Sequence, residues 1–179
     1  IITGAASGFG KGIAKKFSEE GAKSILVDIN KDLLEKVSKD LNQDFLHTDV
    51  ANSNSMKQLA DYVLKKYESI DIMVNNAGIT HLPKPLEEVS EKEFDKTFAV
   101  NSKSVFLCGK FFVPHMKKQK NGSIINISTY AVFEPEKSFP TSGVLRAALS
   151  SFTKIYSDEY AKFNIRINNI LPGFIDSLN

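Results

Sequence analysis

Short apolar runs and longer segments with helical spacing alternate along almost the whole chain. The short runs predict strands at residues 1–2, 24–28, 44–48, 70–75, 122–129 and 165–171. The segments between them predict helices at residues 11–20, 31–41, 53–67 and 142–162, and a long helix that begins after residue 90 and runs toward residue 118. Because strands that alternate with helices pair in parallel through crossover connections, the sequence predicts a single α/β domain with helices on both faces of a parallel sheet.

Three local signals refine the predicted helices: two mark helix ends and one lies inside a helix. Gly21 follows the first helix, at a position where glycine commonly adopts the left-handed conformation. Ser90 and Glu93 have the spacing of a capping box, which marks the start of the long helix. Pro114 lies inside that helix and is expected to kink it.

The composition excludes several classes of protein. Of the 179 residues, 42% are hydrophobic and 25% are charged, as in ordinary globular proteins. The formal net charge of +2 is too small to indicate a nucleic-acid partner. No apolar run approaches the roughly 20 residues that span a bilayer, so no membrane association is expected. Cys108 is the only cysteine and has no internal disulfide partner, which favours a reducing compartment and a cytoplasmic location.

A glycine-rich turn, Thr3-Gly4-Ala5-Ala6-Ser7-Gly8-Phe9-Gly10, joins the first strand to the first helix. Glycines let the backbone approach a pyrophosphate closely, and a helix N-terminus offers free N–H groups to it. Asp28 ends the second strand, where a carboxylate can accept hydrogen bonds from both ribose hydroxyls of NAD and would repel a 2′-phosphate. Since no cation stands at Ser7 either, the residues favour NAD(H) over NADP(H).

With these motifs the sequence resembles the short-chain dehydrogenase/reductase family. The turn has that family's spacing T-G-x-x-x-G-x-G, and residues 75–78 read N-N-A-G as the family's next motif does. The resemblance implies a Rossmann-type doubly wound sheet and hydride transfer between NAD(H) and a hydroxyl or carbonyl substrate. It also implies cofactor contacts at Gly4, Ser7, Gly8, Phe9, Gly10, Asp28, Ile29, Asp49, Val50, Asn76, Ala77, Gly78, Arg146, Pro172, Gly173, Ile175 and Ser177.

The ends of the chain fall inside the pattern of that family. The chain begins within the first motif and ends soon after the Pro172-Gly173 turn. We therefore expect residues 1–179 to form one NAD(P)-binding domain. We also expect the natural protein to extend beyond both ends, with the family's last helix and strand after Asn179.

The departure from the family lies at the proton-transfer residues. The resemblance places the catalytic asparagine at Asn101 and the catalytic hydroxyl at Thr129, but Ser142 and Arg146 stand where the family has Y-x-x-x-K. A phenol, with a reference pKa of about 10 that the neighbouring lysine lowers, can exchange a proton with the substrate. A serine hydroxyl is shorter and far less acidic. Arg146 stays charged and cannot relay protons, although it can bind the nicotinamide ribose and hold positive potential there.

Four other side chains are candidates for the missing acid: Tyr130, Glu134, Glu136 and His81. Each also has a simpler interpretation, as a surface tyrosine, two solvated glutamates and a loop histidine without a chemical role. Cys108 is expected in the core. No histidine or cysteine cluster has the spacing of metal ligands, so no metal is expected.

Three functions stay open. The preferred one is an NAD(H)-linked oxidoreductase for a small-molecule substrate, with 3-oxoacyl reduction first by analogy with the family. The second is a catalytically impaired NAD-binding pseudoenzyme or partner subunit, and the third is an interaction module. A homodimer or homotetramer is expected because apolar residues on the long helix and the last helix outnumber what one sheet face requires. These residues are Phe94, Phe98, Val105, Phe106, Phe111, Phe112, Leu149, Phe152 and Tyr156.

Overall fold

The computed structural model describes residues 1–175 and contains one six-stranded parallel sheet. The strands are β1 (Ile2–Thr3), β2 (Ile25–Asp28), β3 (Asp44–His47), β4 (Ile72–Asn75), β5 (Gly122–Ile127) and β6 (Ile165–Ile170). Their order in the sheet is β3-β2-β1-β4-β5-β6. Strands β1 to β3 are added toward one edge of the sheet and β4 to β6 toward the other, so the direction of winding reverses between β1 and β4. In open α/β sheets, ligands bind at the carboxyl ends of the strands next to such a reversal.

Six α-helices connect the strands: α1 (Gly8–Glu19), α2 (Lys31–Leu41), α3 (Ser53–Tyr67), α4 (Glu91–Phe98), α5 (Ser104–Gln119) and α6 (Pro140–Tyr160). One hydrophobic core joins α1 and α2 to the sheet, and a second core joins α3 and α5 to its other face, with Tyr156 and Tyr160 of α6 packed against it. The doubly wound α/β architecture predicted from the sequence is confirmed. No helix within residues 1–175 is long and apolar enough to cross a membrane.

The structure corrects three predicted helices. The first begins at Gly8 rather than at residue 11, because the Ser7 carbonyl oxygen already accepts the first helical hydrogen bond, from the backbone N–H of Lys11 at 3.0 Å. The last begins at Pro140 rather than at residue 142, since proline is favoured in the first helical turn. The predicted long helix is divided by a π-helical turn at Ala99–Lys103, which separates α4 from α5.

Two of the predicted helix-end signals are confirmed. Gly21 has φ +78° just after α1, in the left-handed region that favours glycine. The Ser90 side chain accepts a hydrogen bond from the backbone N–H of Glu93, and the Glu93 carboxylate accepts one from the backbone N–H of Ser90. This reciprocal pair is the capping box at the start of α4.

A row of three asparagines, of which Asn75 and Asn126 are buried and Asn169 is half-buried, crosses three neighbouring strands of the sheet. Asn75, Asn126 and Asn169 are in register on β4, β5 and β6. The Asn75 amide donates to Asn126 Oδ1 at 2.8 Å, and the Asn126 amide donates to Asn169 Oδ1 at 3.2 Å and to Thr153 Oγ1 of α6 at 3.0 Å. The row fixes the relative positions of strand ends that lead directly into the candidate site.

The apolar residues of α4, α5 and α6 are divided between the core and the surface. Val105, Phe112 and Leu149, which the sequence suggested as excess for a single sheet face, are buried within the chain itself. Phe94, Phe98 and Phe106 are exposed, and so are Val144 and Ile155 of α6. The exposed set is smaller than expected from the sequence and includes two residues that the sequence analysis did not single out.

Candidate functional site

The glycine-rich turn after β1 lies tightly against the turn after β4. Gly4 has φ +66°, and a Cβ atom built on it would lie 2.8 Å from the Asn76 side-chain nitrogen. A Cβ atom on Gly10 would lie 1.9 Å from the carbonyl oxygen of Gly4. Both positions therefore require glycine, the first for its conformation and both for the close approach of backbone to backbone. This is the geometry that a pyrophosphate-binding turn needs.

Asn76 holds the two turns together. Its amide donates to the carbonyl oxygen of Thr3 at 2.9 Å, and the Thr3 hydroxyl accepts from the backbone N–H groups of Asn76 and Ala77, each at 3.0 Å. Because the Asn76 amide is engaged with the backbone of the glycine turn, it fixes the position of the turn that follows β4.

The Asp28 carboxylate is fixed at the end of β2. Its Oδ2 atom accepts from the backbone N–H of Ala6 at 3.1 Å, and Oδ1 accepts from the backbone N–H of Asn30 at 2.9 Å. Each oxygen keeps a further lone pair, so the carboxylate can accept two more hydrogen bonds. A pair of vicinal ribose hydroxyls supplies two donors of this kind.

These groups line one cavity of about 450 Å³ at the carboxyl ends of β1, β2, β3 and β4. Its wall contains eleven of the predicted cofactor residues: Gly4, Ser7, Gly8, Phe9, Asp28, Ile29, Asp49, Val50, Asn76, Ala77 and Gly78. It also contains four residues that the sequence analysis missed: Thr48, Ile79, Lys96 and Val100. Lys96 lies on α4 and Val100 on the π turn, one helical turn apart, so both face the same side of the helix. Their closeness in sequence to Asn101 was the signal that could have identified them.

Other predicted cofactor residues lie outside this wall. Gly10 is buried beneath the glycine turn, where its role is packing. Pro172 and Gly173 follow β6, and the Pro172 carbonyl accepts from the backbone N–H of Tyr130 at 3.0 Å. Ile175 is exposed, and Ser177 lies outside the described residues.

Asn101 lies in the π turn and is buried, with 2% of its surface exposed. Its amide donates to the carbonyl oxygen of Ile79 at 2.8 Å, and its Oδ1 atom accepts from the backbone N–H of Ile79 at 2.9 Å. Single π turns inside helices are frequent at functional sites because they redirect side chains. Asn101 thereby anchors the segment that follows Gly78.

Arg146 extends from α6 into the back of the same region. Its guanidinium donates to the carbonyl oxygen of Ile127, and a Cβ atom on Gly78 would lie 1.8 Å from the Arg146 Nη2 atom. Burial lowers the pKa of Arg146 from its usual value. No carboxylate of residues 1–175 lies within salt-bridge distance of it, so the guanidinium contributes positive potential behind Gly78.

Two hydroxyl groups lie on the elements that flank Arg146. Thr129 follows β5, and its Oγ1 atom accepts from the backbone N–H of Ala131 at 3.3 Å, which leaves its own proton available. Ser142 lies in the first turn of α6, one helical turn before Arg146, and is half-buried. Its hydroxyl has no hydrogen-bond partner among residues 1–175, so it is available to a ligand.

The structure separates the candidates for the missing acid. The Tyr130 hydroxyl donates to Glu136 Oε1 at 2.5 Å, and this hydrogen bond raises the pKa of Tyr130 to about 12. A phenol held in this way is a poorer acid than free tyrosine, so the arrangement argues against Tyr130. Glu136 is half-buried rather than fully solvated, and Glu134 is exposed as expected.

His81 differs most from its simplest sequence interpretation. It lies in a loop, but only 8% of its surface is exposed. Its Nδ1 atom is 2.7 Å from the Leu82 carbonyl oxygen, while Nε2 is buried without a partner. Cys108 is buried in the core as expected, and burial raises the pKa of its thiol to about 12. No group of three or more His, Cys, Asp or Glu side chains in the described part of the chain could hold a metal ion.

Comparison with known proteins gives a consistent result over nearly the whole chain. A family model described as short chain dehydrogenase matches residues 1–178. The chain is 36% identical over 182 aligned residues to a 3-oxoacyl-[acyl-carrier-protein] reductase of Thermotoga maritima, an alignment that covers 99% of this chain and 74% of that protein.

Two solved structures have the same fold. A 3-ketoacyl-(acyl-carrier-protein) reductase from Brucella melitensis, complexed with NADH, superposes with a TM-score of 0.93 at 31% identity, covering 96% of this chain and 73% of that one. A metagenomic short-chain oxidoreductase in complex with NADP superposes with a TM-score of 0.91 at 28% identity, covering 97% and 80% of the two chains. The two neighbours hold different dinucleotides.

Proposed function

The chain belongs to the short chain dehydrogenase family, whose members are oxidoreductases, and from this premise we propose that it transfers hydride between NAD(H) and a hydroxyl or carbonyl substrate. The observation that carries the proposal is the cavity at the carboxyl ends of β1 to β4, in which the glycine turn, Asp28 and the turn after β4 converge. A 3-oxoacyl thioester is the first substrate class to test, because the Thermotoga relative is named for that reaction.

The residues of the cavity fit a dinucleotide. A side chain at Gly4 or Gly10 would fill the space against which the backbone packs, so the turn is built for close approach. The Asp28 carboxylate would accept hydrogen bonds from the hydroxyls of the adenosine ribose. The apolar side chains of Val50 and Val100 would cover the adenine. When bound, the cofactor supplies or accepts the hydride.

The preference for NAD(H) over NADP(H) rests on Asp28. Its carboxylate is held at the end of β2 by two backbone N–H groups and lines the cavity. A 2′-phosphate placed there would meet like charge. Because the solved neighbours include one complex with each dinucleotide, the preference is tested by comparing NADH and NADPH affinities in the same titration.

The catalytic roles follow from the groups around Arg146. Asn101 positions the Ile79 segment, and the free hydroxyls of Thr129 and Ser142 would hold the substrate oxygen, directly or through a water molecule. Arg146 would stabilise negative charge that develops on that oxygen, since its guanidinium has no carboxylate partner in the described residues. In this proposal Ser142 and Arg146 replace the tyrosine and lysine of the family.

A second candidate function is an NAD-binding protein without turnover. It is favoured by the engagement of Tyr130 with Glu136, which removes the one tyrosine next to Thr129 from the list of available acids. Such a protein would bind the cofactor in the same cavity and act as a partner subunit or sensor.

The two functions are separated by one set of assays. NADH binding is measured by its fluorescence, and NADH oxidation is followed with acetoacetyl-coenzyme A and a panel of simple and sugar ketones. A Ser142→Tyr/Arg146→Lys double variant is measured beside the wild type. Turnover by the wild type supports the oxidoreductase. NADH binding with turnover only in the double variant supports the second candidate, and failure to bind NADH contradicts both.

We also propose that the protein forms a homodimer or homotetramer through α5 and α6. Phe106 of α5 and Val144 and Ile155 of α6 expose 45%, 65% and 56% of their surfaces, and this apolar surface would be buried against a second copy of the chain. Light scattering at micromolar concentration tests the assembly, and a Phe106→Glu/Ile155→Glu variant is expected to be monomeric. A monomeric wild type would contradict the proposal.

A further inference from the structure

The loops that follow β4, β5 and β6 each carry one highly exposed apolar side chain. They are Leu82, Phe133 and Phe174, which expose 80%, 79% and 83% of their surfaces. No other large apolar side chain of residues 1–175 is exposed to the same degree. Single exposed apolar residues are ordinary, whereas several that gather at one place mark an interaction site.

Backbone hydrogen bonds tie the three loops to one another. The N–H of Tyr130, after β5, donates to the carbonyl oxygen of Pro172, after β6, at 3.0 Å, and the rings of Tyr130 and Phe174 lie 5.4 Å apart. The N–H of Lys84, after β4, donates to the carbonyl oxygen of Ser138, on the loop after β5, at 3.1 Å. The three loops are therefore neighbours at the carboxyl edge of the sheet, and their three exposed side chains make up an apolar rim.

The apolar rim borders the hydroxyl groups of the candidate site. Thr129 and Phe133 cap the two ends of a short 3-10 turn after β5. The start of α6 packs tightly on this turn, because a Cβ atom on Gly143 would lie 2.3 Å from the carbonyl oxygen of Ala131. Ser142, the residue before Gly143, therefore lies beside the same turn. A substrate whose oxygen is held by the hydroxyls of Thr129 and Ser142 extends from there toward the rim.

The polar side chains near the rim are mostly engaged with other protein groups. The Tyr130 hydroxyl donates to Glu136 at 2.5 Å, and Lys84 is ion-paired with α4 at 2.9 Å. On the loop after β5, only the oppositely charged Glu134 and Lys137 are charged and exposed. A hydroxyl-rich substrate would find few free partners here, whereas an alkyl group would remove apolar surface from water on both sides of the contact.

We propose that the apolar rim binds an alkyl chain of the substrate, so that the protein prefers long-chain carbonyl compounds to short or hydroxylated ones, an inference that rests on the proposed oxidoreductase function. The chain covers the exposed faces of Leu82, Phe133 and Phe174 when the substrate oxygen is held at Ser142. The rim lies on loops that lead from the site. The surface proposed for assembly lies on the helices α5 and α6 instead.

The length of the alkyl chain is the variable that tests the proposal. Isothermal titration calorimetry measures the affinities of 2-butanone, 2-hexanone and 2-octanone for the NAD⁺-loaded protein, a combination that cannot react. Complete burial of a methylene group raises affinity about fourfold, so burial of about half of its surface on an open rim should raise it about twofold. Across the four methylenes that separate the shortest and longest ketones, we expect an affinity ratio of about 16.

Two rim variants and one control assign the effect to these side chains. Leu82→Ser and Phe133→Ser each remove a side chain that contacts little of the protein, so both should unfold at the same urea concentration as the wild type. Leu33→Ser is the matched control, because Leu33 is an exposed leucine on α2, away from the three loops. We expect each rim variant to lower the octanone-to-butanone affinity ratio about two- to fourfold with NADH affinity unchanged. The control should keep the wild-type ratio.

The outcomes separate the apolar rim from the function on which it rests. A wild type that binds neither NADH nor NAD⁺ contradicts the proposed function, and the rim as a substrate site falls with it. Cofactor binding with equal affinities for the three ketones overturns the rim alone, and so does an affinity ratio that both rim variants leave at the wild-type value.

Two further results would also overturn it. If light scattering shows that Leu82→Ser or Phe133→Ser changes the assembly state, a second copy of the chain covers the rim. If the wild type reduces sugar ketones but none of the alkyl ketones, the rim does not select the substrate.

Discussion

Replacing Asn126 with leucine should destabilise the protein more than its small change in volume suggests. Asn126 is fully buried and makes three side-chain hydrogen bonds, at 2.8, 3.0 and 3.2 Å. In Asn126→Leu, Thr153 still donates to Asn169 at 2.7 Å, but the buried Asn75 amide loses its acceptor. An orphaned buried donor costs about 1–3 kcal/mol, and each lost hydrogen bond costs about 0.5–1.5 kcal/mol. Because the buried leucine side chain offsets part of this cost, we expect the free energy of unfolding to fall by about 3 kcal/mol.

The measurement is urea unfolding followed by circular dichroism, with linear extrapolation of the unfolding free energy to water. Asn168→Leu is the matched control, because Asn168 lies on the neighbouring strand β6 with its side chain exposed, and its effect should stay within about 0.5 kcal/mol. In an Asn75→Leu/Asn126→Leu double variant no donor is orphaned between β4 and β5, so its loss should be smaller than the sum of the two single losses. A loss below about 1 kcal/mol in Asn126→Leu, or strict additivity in the double variant, would refute the reasoning.

Three further predictions concern the glycine turn, the cofactor and pH. Gly10→Ala places a methyl group 1.9 Å from a backbone carbonyl oxygen, so it should abolish NADH binding and lower the unfolding free energy by several kcal/mol. Gly12→Ala is the control, because there is open space around Gly12, and it should raise the unfolding free energy by about 0.5–1 kcal/mol in the same urea titration. Asp28→Ser should weaken NADH binding and strengthen NADPH binding in fluorescence titrations, and an unchanged ratio of the two affinities would contradict the assigned role. The ion pair with Lys84 and the capping box lower the pKa of Glu93 to about 2. The stability that the Glu93 carboxylate contributes should therefore be complete above the ordinary glutamate pKa and be lost as the pH falls toward 2. In Glu93→Gln, the decrease of the melting temperature at acid pH should be smaller than in the wild type.

The fold was accessible from the sequence because its signals are local and repeated. Apolar runs and helical spacing predicted all six strands and the helices between them, and the Ser90 and Glu93 pair predicted a helix start that the structure confirms. The errors lie where two signals overlap. Gly8 and Gly10 indicate a loop by composition, yet they begin α1, since the turn that needs glycine continues directly into the helix.

The cofactor cavity was also largely predictable, while the contacts around the reacting atoms were not. Gly4 and Asp28 belong to motifs with fixed spacing, so their positions follow from the strand ends that carry them. His81 lies in a loop and Tyr130 begins a short 3-10 turn, and neither belongs to a motif with such spacing. The burial of His81 depends on Phe139, 58 positions along the chain, and the hydrogen bond of Tyr130 depends on how the loop after it folds back. Neither contact leaves a periodic trace in the sequence.

The structure separates the requirements of hydride transfer from those of proton transfer. The cavity wall is built from backbone turns at the ends of parallel strands, and glycines, Asn76 and the Asp28 carboxylate hold these turns in place. The proton must come from a side chain, and side chains can be exchanged without altering those turns. Ser142 and Arg146 lie outside the wall that these turns form.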